Sequence, residues 1–179
     1  MSVMDLTNQH LGDAEINQIS QQIGADSSQT RSAIQTAMPM LLAGMAGNAS
    51  QPDGATSIQQ AIGTHAGVLD NLGSLLGAAG IGDAGGLLGR ILGQHSTDVH
   101  EGVEQNTGLT SDQTRRLLMI LAPMVLAMLA KRRQSSSQPV DTHLREEAQS
   151  ARANAEAESP QIGGILGKIL NAAQAHPRQ

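Results

Sequence analysis

The stretches IGADSSQTRSAIQTAMPMLLAGMA (23–46) and TGLTSDQTRRLLMILAPMVLAMLA (107–130) overlay at an offset of 84 residues, with Gly24 on Gly108 and Pro39 on Pro123. Ser27 falls on Ser111, Gln29-Thr30-Arg31 on Gln113-Thr114-Arg115, and Leu42-Ala43 on Leu126-Ala127. Self-similarity at a fixed offset marks a duplicated supersecondary unit. Each unit reads as a short helix, a glycine stop and a long helix. In the first, Ile16, Ile19 and Ile23 line one face and Gly24 ends the helix as a left-handed cap. Asp26 then caps the next helix with Gln29 reaching back, and in the second unit Thr110 and Gln113 take those parts after Gly108. Pro39 and Pro123 each remove one helical hydrogen bond and free the carbonyls of Gln35 and Met119, so both long helices are expected to kink there.

The two long helices differ in pattern. Ile34, Met38, Leu41, Leu42 and Met45 form a stripe with Gln35 off it, so the first is expected to be amphipathic. The second is apolar all round over 117–130 and is expected to be the central helix. At about 21 Å that run is shorter than the roughly 30 Å hydrocarbon core of a membrane, and Pro123 interrupts it. The basic triplet Lys131-Arg132-Arg133 suits the negative end of its dipole.

Valine is scarce, nothing alternates with period two, and apolar residues recur at three- and four-residue spacings. The chain is therefore expected to be all-α. A duplicated domain is expected over 1–133, with units at about 13–48 and 97–132 joined by a glycine-rich connector, 52–93. The connector should hold short helices around Ile58 and Ile62, over 68–76 and over 87–92. From 134 to 161 the composition turns polar and reads as a flexible linker or a marginal helix. A short apolar segment and tail follow at 162–179, where GGILGKIL (163–170) nearly copies GGLLGRIL (85–92).

The 179 residues include no Phe, Tyr, Trp or Cys, and the net charge is -5. Leu, Ile and Val together make up about 21%, so the core must rest on aliphatics, Met and Ala. Zero cysteines exclude disulfides, thiol nucleophiles and thiolate metal sites. Zero aromatics exclude base-stacking platforms and aromatic cages, and an acidic pI near 5.6 disfavours duplex binding, so no nucleic-acid partner is expected. The first residues have no basic and apolar signal pattern, so a cytoplasmic location is expected.

Chemistry-bearing residues concentrate at His95, Asp98, His100, Glu101 and Glu104. On a helix, His100 and Glu104 are one turn apart and are the candidate metal ligands. The matching positions in the first unit are Ile16 and Ser20, so the scaffold does not require ligands there, and a solvated acidic helix is the stronger reading. Gly80 to Gly85 fits G-x-G-x-x-G but lacks a preceding strand, so no dinucleotide site is expected. His65 and Asp70 are near each other without a nucleophile; a hydrogen-bonding role for His65 is expected. Arg31 and Arg115 are expected to form salt bridges within their units. No catalytic residue, cofactor or metal is expected.

The segments MPMLLAGMAGNAS, GGLLGRILG, TGLTSDQTRRLLMILAPMVLAML and GGILGKIL resemble the YidB-like bacterial proteins, a domain family of unknown function. The resemblance covers most of 10–133 plus the final motif. It implies an all-helical fold and a bacterial source, and carries no catalytic residues across.

These features point to a non-catalytic interaction or scaffold protein whose partner is itself or another protein. Ile165, Leu166, Ile169 and Leu170 form the face expected to dock into a groove. Gly24, Pro39, Gly108 and Pro123 are its expected structural positions. The alternatives are a metal-dependent enzyme using His100 and Glu104, or a peripheral membrane protein using the Gly/Leu-rich segments.

Overall fold

A computed structural model describes residues 3–74, 84–134, 138–158, 164–168 and 170–171. Every regular element among them is helical: α1 (Val3–His10), α2 (Asp13–Ile23), α3 (Ser27–Ala49), α4 (Pro52–His65), the short α5 (Leu72–Ser74), α6 (Ala84–Leu92), α7 (Ser96–Thr107), α8 (Ser111–Arg133) and α9 (Val140–Glu158). Tight 3-10 turns precede α5 (Leu69–Asn71) and α7 (Gly93–His95). Residues 164–168 and 170–171 are also helical. The expected helix around Ile58 and Ile62 is α4 and the one over 87–92 is α6, whereas 68–76 holds only the turn and α5 before passing outside the described residues.

The punctuation of the chain follows from local chemistry. Gly24 (φ 73°) and Gly108 (φ 67°) close α2 and α7 in the left-handed conformation, which costs glycine little. Their N–H groups donate to Ser20 O (2.9 Å) and Glu104 O (3.0 Å). Thr110 and Gln113 form the reciprocal box: Gln113 N–H donates to Thr110 Oγ1 (3.3 Å) and Thr110 N–H to Gln113 Oε1 (3.0 Å). Asp26 occupies the equivalent place before α3, but its side chain makes no capping bond. Gln29 is used elsewhere: its amide Nε2 donates to Thr107 O (3.4 Å), while Gln113 Nε2 donates to Gly24 O (2.6 Å). Each glutamine thus ties the start of its long helix to the end of the opposite short helix.

The core is built around two 23-residue helices, α3 and α8, with α1, α2, α4, α6, α7 and α9 packed against one or both of them. The apolar run of α8 is buried as expected, except that Met119 is half-buried. The stripe reading of α3 needs correction, because α3 is buried from Ala33 to Ala49 except at Gln35. Small residues allow this. A Cβ added to Gly44 would lie 2.7 Å from Leu92 Cδ2 and 2.9 Å from Val99 Cγ2, and one on Gly47 would lie 2.7 Å from His95 Nε2. The end of α6 and the start of α7 therefore cross α3 at near backbone contact. α3 is also covered by α9, its most extensive helix-helix contact among the described residues.

Of the two readings of 134–161, linker or marginal helix, the structure has the helix over 140–158. Residues 140–158 form a 19-residue helix with Val140, Leu144, Ala148, Ala151 and Ala155 buried at four-, four-, three- and four-residue spacings. The stripe is mostly alanine, which adds little to a hydropathy average but lets two helices approach closely. Residues 135–137 and 159–163, on either side of it, lie outside the described residues.

Candidate functional site

The first turns of α7 and α8 and the body of α6 enclose an open cleft of about 580 Å³, lined chiefly by Leu88, His100, Glu101, Glu104, Asp112 and Arg115. Within it His100 Nδ1 lies 2.8 Å from Glu104 Oε1, one turn along α7, and both side chains are partly exposed. The two candidate ligands therefore face each other as an imidazole–carboxylate pair. His95 is separated from them: its ring is buried against Gly47, with Nδ1 3.6 Å from the exposed Asp98 Oδ2. Among the described residues no group of three or more His, Asp or Glu is disposed to hold a metal ion. The cleft has three carboxylates against one guanidinium, so its field favours cations over anions.

Other candidates take simpler places. His65 Nδ1 lies 2.8 Å from Ala61 O, the backbone carbonyl one turn back, and Asp70 is exposed. Arg31 pairs with Asp13 of α2. Arg115 instead lines the cleft, and Arg116 donates to Gln22 O of α2 (3.4 Å). Most of the G-x-G-x-x-G stretch lies outside the described residues; only Ala84 and Gly85 fall within α6.

The apolar tail face is seated on the chain's own bundle. Leu166 and Leu170 are buried members of the core and Ile165 packs against it; Ile169 lies outside the described residues. A Cβ on Gly102 of α7 would meet Ile165 Cγ2 at 3.4 Å, and one on Gly167 would meet the Arg152 guanidinium of α9 at 3.3 Å. In α6, Leu88 and Leu92 are buried at the places that Leu166 and Leu170 occupy in the copied motif. Both of these leucine positions are thus buried in both copies of the motif.

Sequence reading missed a polar cluster where α1, α8 and α9 meet. Glu147, 4% exposed, accepts the Val3 backbone N–H through Oε2 (2.9 Å) and pairs through Oε1 with Arg132. His143, one turn earlier on α9, is 2% exposed and its Nε2 is buried without a hydrogen-bond partner. Burial, reinforced by the Arg132 guanidinium, holds the His143 pKa below its ordinary value; Glu147 and Glu146 pull the other way. The available signal was the His-x-x-x-Glu spacing, which was invisible as a site while 134–161 read as a linker. A second missed group, Asn48, donates from Nδ2 to Arg90 O (3.0 Å) and Ile91 O (3.1 Å), fastening the end of α3 to that of α6.

Over 18 residues α8 reaches a mean hydropathy of 1.3, long and apolar enough to cross a membrane; 78% of that window is buried inside the bundle. No curated protein and no solved structure matches the chain. A family model described as "Bacterial protein of unknown function (DUF937)" matches residues 5–132, and the chain belongs to that family. The match ends in the last turn of α8, so α9 and the tail motif lie beyond it.

Proposed function

We propose that this family member is a non-catalytic helical interaction protein that self-associates by exchanging its C-terminal docking helix. The observation that carries the reading is the seat of the tail: Leu166 and Leu170 enter the bundle through the same motif face that α6 uses for Leu88 and Leu92. A surface that takes this helix from its own chain presents the same contacts to the helix of a second copy. Tethering favours the chain's own tail by an effective concentration on the order of millimolar, so exchange grows with protein concentration. The cytoplasm is its proposed location, with itself or another protein as partner.

Light scattering on the full chain, from micromolar to near-millimolar protein, tests this. Average mass should rise with concentration, and Leu166→Asp combined with Leu170→Asp should hold the protein at monomer mass. Concentration-independent mass in the parent, or unchanged association in the double variant, would defeat the proposal.

A further inference from the structure

Glu147 and His143 lie one helical turn apart on the face of α9 that packs into the bundle, and Val140 and Leu144 bury beside them. This end of α9 is held by a charge arrangement as well as by apolar contact. Glu147 joins three elements at once, accepting from the Val3 N–H of α1 and pairing with Arg132 of α8. His143 has no such partner at Nε2. A neutral imidazole tolerates that position; an imidazolium there would be a desolvated cation near a guanidinium, without an acceptor at one nitrogen.

We infer that acidification unlatches α9 from the bundle, because protonated His143 adds a buried positive charge beside Arg132 and its helix leaves the α3 face to hydrate it. The charged groups acting on the ring are Arg132 and Arg133 from α8 and Glu146 and Glu147 from α9. On α1, Asp5 is exposed and His10 Nε2 lies near Lys131 Nζ (3.5 Å). The charged residue of α3, Arg31, is paired with Asp13. On α4, which also touches α9, Asp53 is exposed and the His65 ring bonds Ala61 O. On α9 itself Arg145 donates to Ser50 Oγ (3.3 Å).

The direction of the effect follows from linkage. Docking lowers the affinity of His143 for a proton, so the undocked arm binds the proton more tightly. Docking is at full strength well above the free imidazole value of about 6.5, weakens as pH falls through it, and stops weakening below the docked value. Each unit of depression makes docking tenfold weaker at the acid limit. Release uncovers the part of α3 beneath α9. The inference concerns one chain and stands independently of self-association.

Amide hydrogen exchange on the full chain tests it, comparing protection over 140–158 with protection over 117–130 in α8. Rates at about pH 8 and about pH 5.5 are each corrected for intrinsic exchange. In the parent the α9-to-α8 protection ratio should fall at the lower pH, by no more than about tenfold, and in His143→Gln it should stay flat. A ratio equal at both pH values in the parent, or falling equally in parent and variant, would overturn the inference. If the variant leaves α9 unprotected at both pH values, the imidazole NMR titration of the parent decides. A His143 midpoint below about 6.5 that coincides with loss of protection supports the latch, and a midpoint at or above it refutes the latch.

Discussion

At Gly47 the helix has no room for a methyl group: the added carbon would sit 2.7 Å from the His95 ring. Gly63, inside α4, faces open space. The same substitution should therefore have opposite signs at the two places. Gly47→Ala should destabilise by about 1–3 kcal/mol through overpacking, and Gly63→Ala should stabilise by up to about 1 kcal/mol through helix propensity, as read in urea melts. Neither sign is legible in sequence, because both residues are glycines in helical surroundings and the difference lies in what crosses over them. Gly24 and Gly108 were legible, since an apolar stripe ending at glycine before a capping residue is a local signal. His143 was not, because its burial depends on a helix packing over it from a distant part of the chain.

Between elements, the long helices tell the same story. Their lengths and common proline were readable from the repeat; their surroundings were not. Had α3 been amphipathic, Pro123→Ala would cost more than Pro39→Ala. Both prolines are buried, so both variants should lose similar stability, about 1–3 kcal/mol each, when compared by urea denaturation. α9 read as no more than a marginal helix because Ala148, Ala151 and Ala155 supply closeness rather than hydrophobic mass. Its docking should be sensitive to charge on that stripe. Ala151→Asp places a carboxylate in the α9 interface and should abolish amide protection over 140–158 while leaving α8 protected. Retained protection of α9 in that variant would mean that the alanine stripe does not hold the helix.

For the whole molecule, the all-helical class was readable from spacing alone, since no segment alternates with period two. The cleft was readable only in part. His100 and Glu104 are near neighbours along one helix, but Leu88 and Arg115 reach the same space from α6 and α8. With the imidazole and carboxylate already facing each other, zinc or manganese should leave the melting temperature of the parent unchanged. A gain of several degrees that disappears in His100→Ala with Glu104→Ala would instead reveal a bound ion.

The central claim, that the tail helix docks into second copies, is tested most directly by cross-linking a mixture of isotopically light and heavy chains. A zero-length amine-to-carboxylate reagent can join Lys168, on the seated tail, to acidic residues of α7 and α9. At concentrations where mass has risen above that of a monomer, the account predicts Lys168 cross-links that pair light with heavy peptides. Cross-links confined to light–light and heavy–heavy pairs under those conditions would contradict it.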